Sequence, residues 1–147
     1  MGNARINFQE VKSKMDDLER EISLYNRILT KARNSGDRID EAHVLANLAA
    51  VYSTESRVLN FPQAIELYNQ ALKILSEIEY WEPFYRYSYA LGFIYEEALK
   101  DPNRAYGIYR YAIEHGGRVL KGSAGEEYRN DIMHGYERTR RTIDMYR

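Results

Sequence analysis

His43-Val-Leu-Ala-Asn-Leu-Ala-Ala-Val-Tyr52, followed by Pro62-Gln-Ala-Ile-Glu-Leu-Tyr-Asn-Gln-Ala71, is echoed later in the chain. Leu48, Ala49 and Tyr52 return 43 residues on as Leu91, Gly92 and Tyr95. Ala64, Tyr68 and Ala71 return 41 residues on as Ala105, Tyr109 and Ala112. The spacing inside each half is kept. A repeat of this length fixes architecture, because one unit cannot bury its apolar face alone and must stack on the next.

The spacings are helical. Val44, Leu45, Leu48, Val51 and Tyr52 mark a helix over about 38–56, with Asp37 or Asp40 as its cap. Ser56–Asn60 reads as a loop, and Asn60-Phe-Pro62 as the start of a helix over about 61–79. Pro83 and Pro102 open two more helices, about 83–99 and about 102–115. All three prolines therefore mark helix starts, where a missing N–H costs nothing. His115-Gly-Gly117 stops the fifth helix, and a last helix covers about 125–146.

Upstream, residues 5–33 contain neither Gly nor Pro. Val11, Met15, Leu18, Ile22, Tyr25, Leu29 and Ala32 alternate at spacings of 4 and 3, an a/d heptad pattern. This predicts one long helix over 5–34, ended by Gly36 in a left-handed conformation. Its second half, Ile22 to Ala32, is expected to pack on the chain itself. Its first half, Phe8 to Leu18, is expected to project, with Val11, Met15 and Leu18 as candidates for self-association.

At 147 residues the chain has the length of one domain and can bury a core without disulfides or metal. Twenty-one basic residues balance 22 acidic ones, so no global charge steers it to nucleic acid or an anionic membrane. Cysteine is absent, which excludes disulfides, thiolate zinc sites and thiol nucleophiles. No apolar run approaches the roughly 20 residues of a membrane span. Met1-Gly-Asn-Ala-Arg-Ile lacks the apolar core of a signal peptide, and Ile6 stands where a myristoylation signal wants Ser or Thr. A cytoplasmic protein is expected. Fourteen tyrosines against four phenylalanines suit half-buried helix faces, because tyrosine joins an apolar ring to a polar tip.

The repeated positions resemble the tetratricopeptide repeat family. The family pattern runs through Leu45, Leu48, Ala49, Tyr52, Ala64, Tyr68 and Ala71 in one copy. It runs through Ser88, Leu91, Gly92, Tyr95, Ala105, Tyr109 and Ala112 in the other. The period exceeds the family's usual length of about 34 residues, and Ser88 replaces a bulky residue. The resemblance implies an all-α domain over 1–147 with about six helices, in antiparallel hairpins stacked as a short right-handed solenoid. Residues 38–79 and 83–117 would be the repeats and 125–146 the capping helix.

It also implies that the first helix of each hairpin lines a concave groove. Carried over by position, the groove would show His43, Ala46, Asn47, Ala50 and Ser53, then Arg86, Tyr89, Ala90, Phe93 and Glu96. Arg86, Tyr89, Phe93 and Glu96 are spaced 3, 4 and 3, so an α-helix puts them on one face. Asn47 could donate and accept to a peptide backbone, and Arg86 could pair with a carboxylate. Only Asn47 fits the set with which some family members clamp chaperone tails.

Catalytic and metal-binding patterns are missing. His43, His115 and His134 have no metal-ligand spacing, and there is no nucleophile elbow or phosphate-cradling loop. Arg138, Arg140 and Arg141 are offset by acids on the same helix, which argues against a nucleic-acid face. The expectation is a non-enzymatic adaptor, without cofactor or metal, that binds a protein or peptide partner. The alternative is a self-assembly module dimerising through the N-terminal heptad helix.

Overall fold

A computed structural model describes residues 7–146, which contain six α-helices and no strand. The expected helix start at residue 5, and the readings made on Met1 to Ile6, lie outside the described residues. Helix α1 is Phe8–Ser35, capped by the Asn7 side chain accepting from the Glu10 N–H. Gly36 ends it at φ 74°, and the Asp37 N–H reaches back to the Ala32 carbonyl. Helix α2 is Arg38–Thr54, and Asp37 caps it, accepting from the Asp40 N–H.

The expected loop 56–60 contains a 3₁₀ turn, Ser56–Val58. Helix α3, Phe61–Glu77, starts behind an Asn60 cap. Helix α4 is Trp81–Phe93, two residues earlier than the Pro83 start expected from sequence. Pro83 stands third in the helix, where its missing N–H is still one of the unpaired first-turn donors. Beyond Phe93 the helix continues as a π-helical turn, Ile94–Ala98, in which the Leu99 N–H bonds the Ile94 carbonyl. Helix α5 is Pro102–His115 behind an Asp101 cap, and α6 is Ala124–Met145 behind a Ser123 cap.

Helices adjacent in sequence pack on one another throughout, and α4 also packs against α6. One apolar cluster runs from Leu29 of α1 to Ile132 of α6. The two repeated helices sit innermost. In α2, Val44, Leu45 and Ala46 are consecutive buried residues, which only a helix covered on more than one side can have. In α4 the same is true of Pro83, Phe84 and Tyr85.

The repeated small residues lie at the closest crossings. Ala49, Ala64, Ala71, Ala105 and Ala112 are all fully buried. Between α4, α5 and α6 the ring of Tyr109 fills the gap. A Cβ added at Gly92 would stand 2.2 Å from that ring, and one added at Gly135 would stand 2.7 Å from its other edge. Only glycine lets both backbones close on the ring.

The long first helix divides much as its sequence suggests. Leu29 and Ala32 are buried, Ile22 and Tyr25 half-buried, and Val11 exposed. Leu18 differs from expectation. Placed with the self-associating residues, it is only 5% exposed within the single chain. It cannot offer surface to a second copy as it stands.

Candidate functional site

Helix α4 is covered along most of its circumference, so its remaining open stripe is narrow. Along that stripe lie Arg86 and Phe93, both exposed, with Tyr89 and Ala90 half-buried between them. The matching stripe of α2 carries half-buried His43, exposed Asn47, and half-buried Ala50 and Ser53.

His43 ties the α2 stripe to helix α4. His43 Nδ1 lies 2.8 Å from the Tyr87 hydroxyl, and the His43 ring meets Tyr87 and Tyr80 edge-on. Tyr87 is buried, which pushes its hydroxyl above the ordinary phenol range. His43 therefore acts first as a bridge from α2 to α4, with one edge left at the surface. Asn47, one turn further along α2, makes no side-chain hydrogen bond among the described residues. Its amide is available.

Arg86 lies over two rings, with its guanidinium carbon 5.8 Å from the Tyr87 centroid and 6.0 Å from that of Tyr128. The rings fix the side chain while leaving its charge unmatched, since it forms no ion pair among the described residues. Phe93 leans on Tyr89 with ring centroids 6.2 Å apart, and Tyr89 stacks on Tyr109 at 6.4 Å. Ser53 turns its hydroxyl back to the Ala50 carbonyl at 3.1 Å.

Two expected groove residues do not belong to the open face. Ala46 is 2% exposed and packs in the core. Glu96 faces inward and is fully engaged. Arg138 donates to both its oxygens, from Nε at 2.5 Å and Nη2 at 2.8 Å, and the Tyr109 hydroxyl donates at 3.1 Å. The π turn supplies the reason. The four residues Arg86 to Glu96 share a face only at α-helical pitch, and the wider turn after Phe93 rotates Glu96 off that face.

The Glu96 carboxyl is held below the usual carboxylate range, chiefly by the Arg138 hydrogen bonds, against the opposing effect of burial. Burial and the Glu96 charge drive the Tyr109 hydroxyl far upward. This cluster is internal structure, not a ligand site.

Tyr80, Tyr87 and Tyr128 back the open face, and the sequence assigns none of them a site role. The repeat does point to Tyr87, which stands 43 residues after the apolar Val44 and is buried as Val44 is. The described residues contain no group of three or more His, Asp or Glu side chains able to hold a metal ion. None of the described helices is long and apolar enough to cross a membrane. Comparison with protein-family models, with curated proteins and with solved structures gives no match.

Proposed function

We propose that this chain is a non-enzymatic adaptor that holds a peptide or a partner helix on the face shared by α2 and α4. The supporting observation is the open stripe of α4. It is the uncovered part of an otherwise enclosed helix, and it carries one unpaired cation and one exposed aromatic ring. In this reading the hairpins stack as a short tetratricopeptide-like solenoid and the face is its concave groove. Asn47 bonds the partner's backbone and Arg86 pairs with a partner carboxylate. Phe93, backed by Tyr89, takes an apolar side chain. His43 and Ser53 border the contact and hold α2 in place. A cysteine-free chain suits a reducing compartment, and we place its action in the cytoplasm.

The test is a selection of displayed peptides against the intact chain, repeated with Asn47→Ala plus Arg86→Ala. Peptides that bind the native chain should lose at least about tenfold in affinity to the double variant. Equal binding to both would remove this face as the site.

A second reading is favoured by α1. Phe8 is 78% and Val11 47% exposed near its start. A second copy could cover them, making the chain a self-assembly module. The solution mass of the chain separates the two readings.

A further inference from the structure

On the side of α4 turned away from Arg86 and Phe93, α3 and α5 diverge and leave a groove of about 410 Å³. Leu72, Ile108 and the exposed Tyr111 form its walls, and Phe84 and Ser88 of α4 form its floor. Gly107 leaves the mouth open, since a Cβ there would meet no atom within 4 Å. Ser88 is small where the earlier copy of the repeat carries Leu45, which leaves room at the groove floor.

Four polar residues line this space: exposed Asn69, Ser76 (which donates to the Lys73 carbonyl), Ser88 and Lys73. Ser88 is 2% exposed, and its hydroxyl makes no hydrogen bond to any described residue. No fully buried side-chain polar atom among the described residues lacks a partner, so this hydroxyl still reaches the solvent of the groove, and a ligand there would take the place of water. Lys73 stands at the rim. The carboxylates on its other side, Glu41 and Glu77, are already matched to Arg33 and Arg38. Its ammonium forms no ion pair among the described residues.

We infer that this groove is a binding site for a small aromatic acid of one or two fused rings. The ring packs between Leu72, Phe84, Ile108 and Tyr111. A polar ring atom bonds the Ser88 hydroxyl, and the carboxylate meets Lys73. An apolar body with a few convergent polar contacts is the usual composition of such sites. The site is separate from the α2–α4 face, so it stands or falls without the adaptor reading.

The experiment is a titration of the nitrogen-15-labelled chain with indole-3-acetate, read by amide shifts. Saturable shifts are expected at Ser88, Gly107, Ile108 and Tyr111, with Asn47 and Phe93 unmoved. Ser88→Leu should fill the floor and weaken binding at least about tenfold. Gly107→Leu should do the same from the mouth, and it replaces a glycine inside a helix with a better helix former. It therefore keeps the test valid if Ser88→Leu fails to fold. Lys73→Gln should weaken indole-3-acetate but not neutral 3-methylindole. The proposal is overturned if no saturable shift occurs at these amides up to the solubility limit. It is also overturned if folded Gly107→Leu binds as tightly as the native chain, or if tryptamine binds as well as the acid.

Discussion

Tyr109 shows how much one side chain can decide here. Its ring lies fully buried between Gly92 and Gly135, and its hydroxyl ends on Glu96. Gly92→Ala should destabilise the chain by about 1–3 kcal/mol, because the new methyl overlaps a ring that cannot retreat; a urea titration would measure it. Glu96 gives a pH signature. Its carboxyl is depressed in the folded chain, so its contribution to stability is present above the ordinary carboxylate pKa. That contribution is lost as pH falls through the lowered value. Melting temperature should therefore drop on acidification below about pH 4, and Glu96→Gln should flatten that part of the profile. The repeat made Gly92 and Tyr109 legible as a small residue facing a large one. Gly135 and the Glu96–Arg138 pair were not legible. The pair joins residues 42 apart, and no local pattern marks a π turn. Arg138 therefore read as one of the three neighbouring cations Arg138, Arg140 and Arg141.

At the scale of single helices the sequence was most informative where chemistry is local. Asp37, Asn60 and Asp101 each accept from the N–H three residues on, as their positions before a helix suggest. Asp101→Ala should cost roughly 0.5–2 kcal/mol by leaving that N–H unpaired, seen as an earlier thermal transition. Helix ends without glycine were harder to read. Glu79 and Lys100 take left-handed conformations at φ 55° and 50°, which side chains with a Cβ rarely adopt. Helix α1 makes the limit of periodicity plain. Val11 and Leu18 hold equivalent heptad positions, yet one is exposed and the other buried, because the pattern records an apolar face and not what covers it. Leu18→Ala should cost about 2 kcal/mol or more. Val11→Ala should stay within about 0.5 kcal/mol. Paired denaturation curves would show the difference.

Across the whole molecule, the all-helical character and the order of the six helices follow from the repeat, the prolines and the caps. The open face was legible only in part. Asn47, Arg86 and Phe93 are exposed, as the carried-over positions required, while Ala46 and Glu96 are taken up by packing that depends on neighbours distant in sequence. If the exposed three serve a partner and not the fold, Asn47→Ala plus Arg86→Ala should shift stability by no more than about 0.5 kcal/mol per site while removing partner binding. The core closes within one chain, from Leu29 to Ile132, and the proposed adaptor reading needs the α2–α4 face left to a partner of another kind. The most direct test of that account is the solution mass of the intact chain by light scattering after size exclusion. The account predicts the mass of a single chain, 17.3 kDa. A mass near twice that value, reduced to one chain by Val11→Asp, would contradict it and make α1 the working surface.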